Sequence, residues 1–422
     1  MSDRTMQRRE FLARGALAAS GMLVHQRLAF ANTGGDARLV LVILRGALDG
    51  LAAAPPYGDP DYARLRGELA LASPGAPDGA LRLDGTFALH PKLEFLHESF
   101  GAGELAVFHA MASAYRERSH FDGQDVLESG CVRPHASQSG WLNRALKALP
   151  AASVRGRQEL GVALGQNMPL VMRGPSEVAS WSPSKLAALD EETLQRVTDL
   201  YAGDAMLSQR LADALAANAI VTQQAQGMQS PAQDGAAMQA GTAQDLKNAG
   251  AGRYVEIVRA AAAFLRREDG PRVAVFDTVG WDTHANEGGA QGQLGGRLGA
   301  LDAGLRALKD GLGPAWRHTA VVAATEFGRT AAVNGTRGTD HGTAAAAFLL
   351  GGAVRGGRVV AKWPGLSAQA LYQQRDLAPT SDLRSMLKGV LSEHLGVAPR
   401  DLEDSVFPQS ADARPMRDLI RA

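Results

Sequence analysis

Short runs of apolar residues recur along the chain: Leu39 to Leu44, Leu105 to Ala110, Val273 to Phe276, Thr319 to Thr325 and Phe348 to Leu350. Several are followed by a turn rich in Gly or Asp, and their near-continuous hydrophobicity predicts strands buried on both faces, as in a parallel sheet. Helical patterns lie between them. Leu294, Leu298, Leu301, Leu305 and Leu308 are spaced by three and four, which places them on one face of a helix. Alternation of strand and helix predicts an α/β fold with a mostly parallel central sheet between helical layers, a three-layer α/β/α sandwich.

The middle of the chain breaks this rhythm. Residues 184–264 carry helical periodicity with few strand signals and predict a helical insertion within one large domain spanning residues 32–422. Inside it, Val221 to Gly252 is dense in Gln, Ala, Gly and Met with no sustained apolar period, the composition of a mobile helix or loop. No internal repeat is visible.

The first residues follow another logic. Arg8-Arg9-Glu10-Phe11-Leu12 is followed by Ala13 to Val24, apolar apart from Arg14, Ser20 and glycines, and then by Ala29-Phe30-Ala31. A charged start, an apolar stretch and an A-x-A site predict a cleaved signal over residues 1–31. The adjacent arginines point to the twin-arginine translocase and a periplasmic or secreted destination. The apolar stretch is about a dozen residues, short of the ~20 that cross a bilayer, so no stable membrane span is expected after cleavage.

Lys plus Arg and Asp plus Glu number 44 each, so no global field would recruit nucleic acid. Cys131 is the single cysteine, which excludes an internal disulfide and any thiolate-based zinc site. A bound metal would have to use imidazoles and carboxylates.

Such groups fall beside the predicted strands. In open α/β sheets, ligands bind beyond the carboxyl ends of strands, where loops converge. Asp49 follows the first strand; Asp282 and His284 follow the Val273 run; Glu326 directly follows the Thr319 run; Asp340 and His341 precede the last apolar run. Together they could form one metal site, and oxygen and nitrogen donors without sulfur suit Zn²⁺, Mn²⁺ or Mg²⁺, with histidine favouring Zn²⁺ or Mn²⁺. A single such cluster reads equally well as a capping acid beside a structural histidine. Four of them at strand ends carry more weight.

A second constellation, Arg116 to Asp125, lies beyond the Leu105 run. Ser119 has the type and setting of an N-cap, with a helix predicted from His120 through Ser129. A serine there, aimed at a metal, can act as a nucleophile, because metal and helix dipole both stabilise its anion. Arg45, Arg118 and Arg329 could clamp an oxyanion, although ordinary salt bridges account for such residues too. His90, His97, His109, His135, His318 and His394 lack acidic partners at ligand spacing and read as structural. The chain has no G-x-S-x-G elbow, Walker A loop, G-x-G-x-x-G turn or H-E-x-x-H helix.

The twin-arginine start, the motifs Leu44 to Gly50, Pro56 to Tyr62, Arg118 to Phe121, Ser139 to Leu142, Gly280 to Asn286, Glu326 to Arg329 and Gly338 to Thr343, and their order resemble the bacterial domain of unknown function 1501. The resemblance extends from the signal to Pro408. That family is similar to the alkaline-phosphatase and sulfatase clan, which implies a metal site at the strand ends. By this resemblance Asp49 is the early metal-binding acid, Ser119 the nucleophile, Asp282 and His284 the mid-chain pair and His341 the final histidine. Glu326 stands at the late acid, but Phe327 replaces the histidine that follows it in the clan. One expected ligand is therefore absent, leaving Asp340 or His120 to replace it, or a single ion to bind.

The function implied is metal-dependent hydrolysis of a phosphate or sulfate ester, with Ser119 attacking and Arg45 or Arg329 stabilising the anion. The competing expectation is an exported binding or assembly protein that keeps the fold without turnover.

Overall fold

The computed structural model describes residues 36–154, 159–183, 191–227 and 243–421. The expected signal, residues 1–31, lies outside the described residues. The first apolar run forms β1 (Arg38–Arg45), every residue of which is buried except the half-buried Arg45. A strand this apolar can only sit where both of its faces are covered. A small ribbon, β2 (Leu81–Arg82) with β3 (Ala88–Leu89), precedes β4 (Leu105–Ala112). Then follow β5 (Gly161–Leu164), β6 (Val178–Trp181), β7 (Val273–Val279), β8 (Thr319–Ala324), β9 (Ala345–Leu350), β10 (Arg358–Val360) and β11 (Ser381–Asp382).

Nine of these strands make one sheet in the order β10-β4-β9-β8-β1-β7-β5-β6, with β11 also on β4. β1 lies parallel to β7 and β8, and β5 joins β7 and β6 in the same sense. β9 alone runs against its neighbours β4 and β8. This mixed, mostly parallel sheet with flanking helices is an α/β fold. The reversal of β9 matters for the site, because the start of β9 lies at the same edge as the ends of β1, β4, β7 and β8.

Alternate residues of β1 enter separate clusters. Val40, Val42 and Leu44 pack with the helices α1 (Glu94–Gly101), α4 (Ala243–Arg266) and α5 (Gln293–Leu312), whose Leu294, Leu298, Leu301, Leu305 and Leu308 all point inward. Leu39, Leu41 and Ile43 pack instead with α3 (Trp141–Lys147) and α6 (Leu383–Leu395). Period-two alternation thus assigns each β1 side chain to one face. A further helix, α2 (His120–Ser129), packs beside the strand ends, where Arg45 at the end of β1 reaches its Gln124 and Glu128.

The segment expected as an insertion holds helices Glu191–Tyr201 and Ala205–Gly227 and continues into α4. Ile257, Val258, Ala260 to Ala262, Phe264 and Leu265 of α4 are buried in the same cluster as β1. The segment therefore returns into the core at its carboxyl end. Part of the Gln-rich stretch, residues 228–242, is outside the described residues. No helix among the described residues is long and apolar enough to cross a membrane.

Candidate metal centre

Three imidazoles converge on one carboxylate at the strand-end edge. Asp282 follows β7; its Oδ1 lies 3.0 Å from His284 Nε2 and 3.2 Å from His341 Nε2, and its Oδ2 lies 3.4 Å from His120 Nε2. His284 Nε2 and His341 Nε2 are themselves 3.0 Å apart. His341 comes from the opposite strand direction: Arg329 and His341 form an antiparallel bridge that extends the β8–β9 pairing beyond the sheet. The β9 reversal thus delivers a histidine to loops that otherwise leave from strand ends.

Each ring is held from behind through Nδ1. His120 Nδ1 lies 2.9 Å from Glu326 Oε1, His284 Nδ1 lies 3.3 Å from Asp340 Oδ1, and His341 Nδ1 lies 2.9 Å from the Arg118 carbonyl. A carbonyl or ionised carboxylate only accepts, so each takes a hydrogen bond from Nδ1, and in the neutral ring the Nε2 lone pair is then turned inward. Arg118 reaches this pose at a φ of 63°, an uncommon backbone state for a non-glycine residue. His120 Nε2 is buried and has no hydrogen-bond partner.

Further contacts lock the frame. The His120 ring stacks on Phe327 at 5.1 Å and meets His341 edge-on at 4.3 Å. Asn334 donates to Asp340 Oδ1 and to the His284 carbonyl, which Thr336 also caps. The loop before β9 therefore grips the loop after β7. Gly338 is needed there, since a Cβ at that position would collide with the His284 carbonyl. At Gly46, with φ of 119°, a Cβ would stand 2.8 Å from the Asp282 amide nitrogen.

Burial alone would raise the Asp282 carboxyl, but the Arg329 guanidinium, 2.5 Å away, holds it below the usual carboxylate range. The hydrogen bond to Glu326 raises His120, whereas burial and the nearby His120 lower His341. The two rings thus respond to one another: a proton favoured on the first is disfavoured on the second.

The expected site residues fall into distinct positions. Asp282, His284, His341 and His120 form the cluster, while Glu326 and Asp340 stand behind it as partners of Nδ1. Glu326 has no exposed surface and is consumed by donors, accepting from Gly46 N, Gln124, Thr325 and His120. Asp49 does not join the cluster. It accepts from Leu51 N and Ala52 N as the N-cap of the short helix Gly50–Ala53 and pairs with the buried Arg66.

Ser119 is the N-cap of α2, in extended backbone, and its side chain makes no capping hydrogen bond. It lies between Arg118 and His120, both of which border the cluster. Arg45 is occupied by Asp277, Glu128 and Gln124, and Arg118 by Asp376 and Gln373. Arg329 is buried against Thr339 and Asp282. None of these three arginines is held ready on the surface as a clamp.

Sequence reasoning missed the roles of Asn334, Thr336, Thr339 and the Arg118 carbonyl. Asn334-Gly335 was a legible turn signal just ahead of Asp340, but a carbonyl's role has no signature in residue type. Among the histidines expected to be structural, His90, His109 and His394 are buried beside backbone carbonyls. His135 differs: it is exposed and lies 3.3 Å from Asp122 and 3.5 Å from Asp125.

Donors 3.0 to 3.4 Å apart match the ~3.3 Å separation expected for tetrahedral ligands on one ion with bonds near 2.0–2.1 Å. His120, Asp282 and His341 meet the spacing for a metal triad among the described residues. The donor chemistry and the unpartnered His120 nitrogen both fit a divalent cation.

Among solved structures, two of Ps i-CgsB are similar to this chain, one of them in complex with k-i-k-neocarrahexaose. They are 12% and 13% identical, cover 90% of this chain and 77% of their own, and have a TM-score of 0.36. No curated protein matches. A family model described as "Protein of unknown function (DUF1501)" matches residues 36–406, and the chain belongs to that family.

Proposed function

We propose that this protein is an exported, metal-dependent hydrolase of phosphate or sulfate esters, built on an alkaline-phosphatase-like α/β/α sandwich. The observation that carries this reading is the convergence of three imidazole Nε2 atoms on Asp282, each ring held through Nδ1 by an outer acceptor. Outer partners of this kind orient ligating histidines and raise their basicity. One divalent ion, Zn²⁺ or Mn²⁺, fits His120, Asp282, His284 and His341; when bound it supplies a Lewis acid that stabilises developing negative charge and favours the serine alkoxide. The twin-arginine signal would send the folded chain to the periplasm or beyond.

Ser119 is the nucleophile in this reading. Its Oγ bonds to phosphorus or sulfur as the bond to the leaving alcohol breaks, the serine proton ends on that alcohol, and water then releases the anion and regenerates the serine. The start of α2 places a positive helix end beneath the reacting group. Because Arg45 is paired with Asp277 and Arg329 with Asp282, the anion is met by this helix end.

A second reading is favoured by the fate of two acids. Asp49 is spent on Arg66 and Glu326 on its donors, so one ligand set remains where the resembling clan uses two. A non-catalytic binding or assembly protein with one ion would need no more.

Metal-replete protein lacking the signal, assayed on aryl phosphates and aryl sulfates, separates the readings. Turnover that disappears in His341→Ala and Ser119→Ala supports the hydrolase. Metal uptake with no turnover and no covalent labelling of Ser119 supports the binding protein, and turnover unchanged in His341→Ala rules out this site.

A further inference from the structure

Behind the cluster lies a buried polar group that the hydrolase reading leaves unused. Glu287 has no exposed surface. Its Oε2 accepts from Thr283 at 2.9 Å and from Thr339 at 2.8 Å. Thr283 adjoins Asp282, and Thr339 adjoins Asp340, so one oxygen ties together the two loops that carry most of the cluster. Arg66 approaches its other oxygen at 3.5 Å while pairing with Asp49.

The hydroxyl of Thr339 has a single hydrogen, and Glu287 takes it. Its lone pair is thereby turned toward Arg329, whose Nε donates to it at 3.1 Å. Arg329 also donates to the Thr339 carbonyl and, through Nη1, to Asp282 Oδ1 at 2.5 Å. Every link from Glu287 to Asp282 is a directional hydrogen bond; those through Thr339 are buried, where an unmatched donor or acceptor is costly, and the last, to Asp282, is partly exposed.

We infer that Glu287 and Thr339 are positioning residues for the metal centre: through Arg329 they fix the orientation of the Asp282 carboxylate without touching the ion. This rests on the metal-centre reading above. Burial and the adjacent Asp49 raise the Glu287 carboxyl, whereas Arg66 overrides burial and holds Asp49 down. The pair thus favours a protonated Glu287 beside an ionised Asp49. Such a pair limits the charge buried behind the site.

Cobalt tests this, because Co²⁺ bound to imidazole and carboxylate absorbs visibly and its band reports ligand geometry. Thr339→Val removes the hydroxyl and keeps the shape. The expected result is Co²⁺ binding about 10- to 100-fold weaker with a shifted band, the usual loss when an outer partner of a ligand is removed. Thr339→Ser should restore both. If Thr339→Val fails to fold, Glu287→Met and Glu287→Gln answer the same question. The Met variant, with no acceptor, should show the same loss, and the Gln variant, with an oxygen for both hydroxyls, should stay within about threefold of the parent. Parent-like affinity and spectrum in a folded Thr339→Val or Glu287→Met overturns the inference alone. Failure of the parent protein to take up Co²⁺ overturns the metal-centre reading and this inference with it.

Discussion

His284 Nε2 and His341 Nε2 face each other at 3.0 Å, each with its Nδ1 turned away toward an acceptor. Two lone pairs held this close repel unless a cation or a shared proton lies between them. The sequence pattern put both residues near one edge, but only the bridge between Arg329 and His341 brings them into contact. Under the metal-centre reading, elemental analysis finds roughly one divalent ion per chain, the content of a site with a single ligand set. His284→Ala or His341→Ala should lose it. Retention of metal by both variants would place the ion elsewhere.

Glu326 controls His120. Its hydrogen bond raises the His120 pKa, so Glu326→Gln should move the His120 titration to lower pH, as read by NMR of the labelled ring. Glu326→Ala leaves several buried donors without an acceptor, at about 1–3 kcal/mol for each. Its melting temperature should fall clearly below that of the parent. An unmoved His120 titration in the Gln variant would remove Glu326 from the role assigned to it.

Ser119 offers a clean separation of stability from chemistry. An N-cap serine that bonds the helix backbone contributes about 1 kcal/mol, but this side chain makes no such bond. Ser119→Ala is therefore expected to melt within a degree or two of the parent, roughly the shift from a few tenths of a kcal/mol. Under the hydrolase reading, ester hydrolysis should nonetheless be abolished. Full activity in that variant would leave direct attack by water as the mechanism.

Burial lowers His90, His109 and His394 each to about 4 from an ordinary value of 6.5. Between those limits the unfolded chain binds protons that the folded chain refuses, so stability rises with pH across this window and is lost as pH falls through it. One pKa difference of one unit corresponds to about 1.4 kcal/mol, so three such groups give a slope approaching roughly 4 kcal/mol per pH unit in mid-window. Urea midpoints measured from pH 7 to pH 4 should drop steeply below about 6.5 and stay nearly flat above it. Replacing His394 with a neutral residue should flatten the slope if its burial is the cause.

The strands were legible because central strands must be apolar throughout, and β1, β4, β7 and β8 coincide closely with apolar runs. β5 and β6 are only four residues long, and β10 is half-buried, so none carries a run long enough to stand out. The direction of β9 is a tertiary property that no local pattern encodes. The cluster was legible as residue types near strand ends. The division of labour within it was not, because Asp282 and Glu326 differ in burial rather than chemistry. Asp282 is 41% exposed and faces the imidazoles, whereas Glu326 is sealed among donors.

The seating of β9 between β4 and β8 has a consequence for biogenesis. The groups around Asp282 come from positions as far apart as Arg118 and His341, and His341 is in place only once the one reversed strand has slotted between its neighbours. Contacts so distant in sequence form late, after loop closure has already cost its entropy. A chain caught before that insertion would have no complete centre, so ion uptake would act as a certificate that the sheet is finished.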